Sequence, residues 1–160
     1  RIRVLPVGQI SRVPASLRRL LLEMERSQAQ VEAAANGEDD VWSMTVVLAL
    51  SFGGRDELVR AVQRLAAQVQ EGGLAIDGID EAALGGALSS GQFGLPDPDL
   101  CIRTGGEHRL SNFLLWQFAY AELWFTDTLW PDFSVDELDE AIAHFASRER
   151  RYGGRPGEGA

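Results

Sequence analysis

Residues 103–112, RTGGEHRLSN, place two guanidinium groups, a carboxylate, an imidazole, a hydroxyl and a glycine pair directly ahead of the apolar run FLLW. Arginine forks match phosphate oxygens in shape and charge. Gly105-Gly106 lets backbone N–H groups approach a ligand without a Cβ in the way. Ser111 or Asn112 is placed to cap a helix over 113–118, and a helix start favours an anion. Arg103, Arg109 and Ser111 therefore read as a pocket for a phosphate or diphosphate. The competing reading is a plain turn with solvated arginines. Carboxylates beside a diphosphate suit Mg²⁺, which shares its shell with phosphate oxygens. Glu107 and Glu122 are the candidates, and each could instead pair with a nearby arginine. His108 is either a proton relay or a hydrogen-bonded loop residue. Two histidines and one cysteine give no zinc set. No nucleophile–base–acid spacing is present.

A second glycine-rich loop, SFGGR at 51–55, ends an apolar run and opens a helical pattern. The run itself, MTVVLAL (44–50), is continuous and rich in β-branched residues, which predicts a parallel strand buried on both faces. Ahead of it, IRVLPV (2–7) reads as a strand. Leu17, Leu20, Leu21 and Met24 predict a helix over 14–34, followed by a polar loop at Asn36-Gly37. Leu58, Val59, Val62, Leu65 and Val69 give the helix after SFGGR its expected apolar face. A short helical patch falls at 81–88, and DLCIR is a strand ending at Arg103. ELWFT (122–126) is β-prone, and LWPDF is a turn. Ser134 with Glu137 forms a capping box for a last helix. Its apolar face is Val135, Leu138, Ile142 and Phe145, and its stop is Gly153-Gly154. Strands alternating with helices predict an α/β fold with a mostly parallel sheet flanked by helices.

The chain's 160 residues suffice for one domain with a sizeable core. Its hydrophobic content of 45% and charged content of 24% are ordinary for a globular protein. A net charge of −9 argues against a nucleic-acid surface. All 15 basic residues are arginine, and Arg148, Arg150, Arg151 and Arg155 crowd the C-terminus. Local arginine clusters in an acidic chain suit a small anion better than a polyanion. No apolar run reaches the roughly 18 residues of a membrane span, and no signal-peptide pattern opens the chain. The single Cys101 excludes an intrachain disulfide and fits a reducing compartment. A soluble cytoplasmic or organelle-matrix protein is expected. The start at Arg1 leads us to expect the back part of a longer protein, or one from which something was removed.

IRTGGEHRLSNFLLWQFAYAELWFTDTLWPDF, followed by FASRERRYGG, closely resembles the C-terminal half of the cis-prenyltransferases, the undecaprenyl diphosphate synthase family. SFGGRDELVRAV resembles that family's N-Y-G-G-R strand–loop–helix. The resemblance runs from Ile2 to Gly154 and is weakest between Gln28 and Ser43. It implies residues 1–154 as the C-terminal part of one domain, with 155–160 a disordered tail. It implies addition of isopentenyl diphosphate to an allylic diphosphate such as farnesyl diphosphate, with Mg²⁺, by a homodimer whose lipid product could bring it to a membrane surface. By the same resemblance, Arg103, Arg109 and Ser111 hold isopentenyl diphosphate and Glu122 supports the metal. Arg103, Glu107 and His108 are the catalytic candidates. Arg151 and Gly153, in Arg151-Tyr152-Gly153, match the R-x-G motif that reaches the partner's diphosphate.

The family's D-G-N-G-R-W-A motif, with its Mg²⁺-binding Asp and its allylic diphosphate cradle, does not occur here. The expectation is therefore an inactive isolated chain, with sheet edges exposed where strands are missing. Ser51 stands where the family usually has Asn, and Gln9 where Gly-Asp is usual. Two other readings stay open: a non-catalytic subunit of a heteromeric enzyme, and a diphosphate-binding protein without chemistry.

Overall fold

The computed structural model describes residues 1–35 and 41–148. The Asn36-Gly37 loop, Arg150, Arg151, Arg155, the R-x-G motif, the Gly153-Gly154 stop and the 155–160 tail lie outside the described residues. The chain is an α/β fold in which both strand pairings among the described residues are parallel. It forms two compact units, Arg1–Gly94 and the part from Leu95 onward.

In the first unit, β1 (Ile2–Gly8) pairs in register with β2 (Met44–Leu50), from Ile2 opposite Met44 to Gly8 opposite Leu50. Gly8 is required at the end of the pair. It sits at φ 104°, and a Cβ there would lie 2.2 Å from the Leu50 carbonyl oxygen. Between the strands runs α1 (Ala15–Ala34), which presents Leu17, Leu21, Met24, Gln28 and Val31 at helical spacing as its less exposed stripe. Leu20, expected on that stripe, falls at its edge and is exposed.

β2 departs from expectation. Met44, Val47 and Leu48 are exposed rather than buried, because β1 is the one strand that pairs with β2 among the described residues. The edge of β1, by contrast, is covered at one point. The Gln28 side chain accepts from the Val4 N–H at 2.6 Å and donates to the Val4 carbonyl at 3.0 Å, imitating a neighbouring strand.

α2 (Gly54–Gln70) follows β2 directly. Its buried stripe is Gly54, Glu57, Ala61 and Leu65, while Val59 and Val62 of the expected face are exposed. The buried Glu57 carboxylate accepts from the Ser89 N–H at 2.9 Å, and Arg64 donates to the Ala87 carbonyl at 2.7 Å. These bonds tie α2 to the junction of α3 (Glu81–Ala87) and α4 (Ser89–Gln92).

In the second unit, β3 (Leu100–Arg103) pairs with β4 (Glu122–Phe125), Arg103 opposite Phe125. A turn of 3-10 helix at Trp130–Asp132 leads to α5 (Val135–Ala146). The capping box forms: the Glu137 N–H donates to Ser134 Oγ, and the Ser134 N–H to the Glu137 carboxylate, each at 3.2 Å. The helix ends at Ala146, earlier than expected, where Ser147 caps it. Val135, Leu138 and Ile142 are exposed, and Ala141 is the buried residue of that helix.

Candidate functional site

Both ends of the RTGG loop are set by the parallel pair. β3 delivers Arg103, and β4 continues into the turn Thr126–Thr128. The two segments are then stitched together. The Thr126 N–H donates to the Arg103 carbonyl at 3.0 Å, Gly105 N–H to the Thr128 carbonyl at 2.8 Å, and Gly106 N–H to the Thr126 carbonyl at 2.9 Å. The glycine pair departs from expectation. Their N–H groups are occupied within the protein and do not cradle a ligand. The glycines serve instead to let the backbone take φ 87° at Gly105 and φ 74° at Gly106. That region is costly for residues with a Cβ.

The remaining donors belong to side chains. Arg103 Nη1 donates to the Arg109 backbone carbonyl and, at 3.2 Å, to Ser111 Oγ, so the Arg103 side chain lies against Ser111 and the Arg109 main chain. The Arg109 guanidinium pairs with Glu107 at 2.7 Å in an open position. Such an exposed pair contributes little to stability. His108 packs on the Phe125 ring with centroids 5.0 Å apart. Ser111 and Asn112 do not cap a helix. Both lie at positive φ, 49° and 66°, as does Leu114 at 43°. A right-handed helix cannot run through left-handed residues. Residues 111–118 are a series of turns instead.

Two parallel strand ends and a pinned glycine loop thus carry Arg103 beside Ser111. The family model described as "Putative undecaprenyl diphosphate synthase" matches residues 1–153. The chain belongs to the undecaprenyl diphosphate synthase family. An isoprenyl transferase of Porphyromonas gingivalis is 47% identical over 95% of this chain and 55% of its own length. A farnesyl-diphosphate-specific ditrans,polycis-undecaprenyl-diphosphate synthase of Lactiplantibacillus plantarum is 44% identical over 96% of this chain and 56% of its own. Among solved structures, lavandulyl diphosphate synthase from Lavandula x intermedia, in complex with dimethylallyl diphosphate, superposes with a TM-score of 0.77 at 36% identity. That match covers 95% of this chain and 60% of the synthase. The chain thus spans little more than half the length of these cis-prenyltransferases.

Within this family member, Glu122 opens β4 and faces Arg148 at 3.9 Å, the salt-bridge alternative to a metal role. Among the described residues no three His, Cys, Asp or Glu side chains converge, so they do not build a metal cage of their own. Mg²⁺ beside a diphosphate needs only one or two carboxylates, with phosphate oxygens and water completing its shell. Glu122, half-buried and loosely paired, fits that smaller requirement. Cys101, on β3, is half-buried beside Arg103. Burial pushes its pKa up, and the nearby Arg103 charge only partly opposes this. Among the described residues no helix is long and apolar enough to cross a membrane.

Sequence reasoning missed Thr126, Thr128 and the second set of bonds made by Glu137. The signal available was TDT lying between β4 and a capping-box glutamate, but the box by itself accounts for Glu137 and hides any further partner.

Proposed function

We propose that the chain supplies the isopentenyl diphosphate site of a cis-prenyltransferase, the C-terminal part of one such domain, in an enzyme that builds a polyprenyl diphosphate. The single observation that supports this most is the Arg103 guanidinium at the end of β3, which donates to Ser111 Oγ and to the backbone carbonyl of Arg109. In this reading Arg103 and Ser111 hold the acceptor's diphosphate. Arg109 leaves Glu107 to close on it, so ligand binding and the breaking of one surface ion pair are the same event.

The reaction joins the allylic carbon of one substrate to the terminal alkene carbon of isopentenyl diphosphate, expels the allylic diphosphate, and releases one proton from the acceptor. Orientation of the acceptor is the contribution of this chain. Glu107 and His108 are the basic groups on the same loop and the candidates to receive that proton. Mg²⁺, when bound, would neutralise diphosphate charge, with Glu122 as its ligand from this chain. By the family resemblance the allylic diphosphate cradle belongs to a part of the enzyme that this chain does not span, so the chain alone is proposed to bind without turnover. The homodimer, the R-x-G contribution of Arg151 and Gly153, the cytoplasmic or organelle-matrix location and membrane-surface association through the lipid product belong to the same reading.

Calorimetric titration with isopentenyl diphosphate tests it. We expect saturable binding by the wild-type chain, weakened about tenfold or more in Arg109→Ala by loss of a charge-assisted contact. Absence of wild-type binding, or an Arg109→Ala variant that binds as well, removes the reading.

A further inference from the structure

We propose that Glu137, on α5, is a positioning residue for the diphosphate loop, acting through Thr126 and Thr128. The inference rests on the acceptor-site reading above and deepens it. Glu137 Oε1 accepts from Thr128 Oγ1 at 2.6 Å and from Thr126 Oγ1 at 3.3 Å, while Oε2 accepts from the Ser134 N–H at 3.2 Å. The capping box thus uses one carboxylate oxygen, and the other is directed at the two threonines.

Those threonines are also the residues whose carbonyls hold the Gly105 and Gly106 N–H groups, and Thr126 further donates its N–H to Arg103. Within the turn, the Thr128 N–H donates to Thr126 Oγ1 at 3.2 Å. Each threonine is therefore fixed from both sides, by Glu137 at its hydroxyl and by the glycine loop at its backbone. A continuous set of hydrogen bonds leads from α5 to Arg103, and Arg103 reaches Ser111. A cap needs only Ser134 and the Glu137 backbone and side chain. Bonds to two threonines beyond it are not needed to start a helix, and they fix the turn on which the arginine-bearing loop rests. Preorganised donors bind better because the ordering cost is met before the ligand arrives.

The test compares variants that separate the two roles of Glu137. Thr128→Val breaks the relay and spares the cap. Thr128→Ser retains the hydroxyl. Ser134→Ala breaks the cap and spares the relay. Two quantities are read: amide hydrogen exchange at Gly105 and Gly106, and isopentenyl diphosphate affinity by calorimetry. We expect Thr128→Val and Glu137→Gln to speed exchange at both glycines and weaken binding by about three- to tenfold, the effect of one or two modest hydrogen bonds. Thr128→Ser should restore both quantities. Ser134→Ala should lower Tm while leaving both near wild type. The proposal is overturned if Ser134→Ala matches Thr128→Val in exchange and affinity, or if the glycine amides stay protected in Thr128→Val. If the wild-type chain binds no isopentenyl diphosphate, the acceptor-site reading falls, yet the exchange comparison still decides whether Glu137 orders the loop.

Discussion

The two parallel pairs are built to opposite plans. β1–β2 runs through seven-residue strands, from Ile2 and Met44 to Gly8 and Leu50, yet much of β2 lies open. β3–β4 has four-residue strands, but beyond them the chain continues to pair through Thr126, Thr128, Gly105 and Gly106. The longer pair ends in one close approach at Gly8; the shorter ends in a hydrogen-bonded platform carrying Arg103. Ladder length and hydrogen bonding beyond the strand ends are therefore different properties. A site is held by bonds made after the strands end, where the backbone has left its regular partners and must find others. The first pair depends more on burial, with Leu5 and Val7 inside, and the second on polar contacts.

The largest effect should separate those two plans. Leu65→Ala removes a side chain that is only 4% exposed. It should cost about 2–4 kcal/mol. Val62, on the same helix, is 55% exposed. Val62→Ala should therefore change stability by about 0.5 kcal/mol at most. Urea unfolding followed by circular dichroism measures both. Equal losses would mean that α2 buries a different face. Next, Gly106→Ala forces a Cβ onto a residue at φ 74° and within 3.1 Å of Asp127 Oδ1. It should cost about 1–2 kcal/mol and disturb Arg103, seen as a lower Tm together with weaker isopentenyl diphosphate binding. A stability loss with intact binding would break the link between the platform and the site.

A smaller effect is expected at the open pair. Gln28→Ala deletes both bonds to Val4 and should cost about 1 kcal/mol, with faster exchange of the Val4 amide as its signature. The least effect concerns pH. Hydrogen bonds from Thr128, then the Ser134 backbone, lower the Glu137 pKa against the opposing effect of burial, with Thr126 and the Ser134 hydroxyl adding to the lowering. A depressed folded-state value means that its stabilisation is complete above the ordinary glutamate pKa of about 4.3 and is lost as pH falls through the lower folded value. The Tm advantage of wild type over Glu137→Gln should therefore hold at neutral pH and narrow below about pH 4. A gap independent of pH would sink the assignment of those bonds to an ionised carboxylate.

Much of this arrangement is legible locally. The β-branched run at 44–50 marks β2 to the residue, and Ser134 and Glu137 announce the start of α5. RTGGEHRLSN contains both partners of two contacts seen in the structure, Arg103 with Ser111 and Arg109 with Glu107. Where the reading failed, the deciding interaction was distant or unlocatable in one dimension. β2 has the composition of a doubly covered strand, but composition cannot say what covers it. The 111–118 segment has a helix's capping residues, and three left-handed positions overrule them. Ser51 also takes φ 49°, a conformation that Asn adopts more readily than Ser.

The sequence by itself determined the order and type of nearly every element and the family, because periodicity, capping and motif chemistry act over a few neighbouring residues. Only the tertiary structure decided that the Gly105 and Gly106 N–H groups face Thr128 and Thr126, and that Glu137 serves two sets of partners. A polar group takes whichever acceptor folding brings within about 3 Å, and that choice is made by the meeting of segments rather than by the residues on either side.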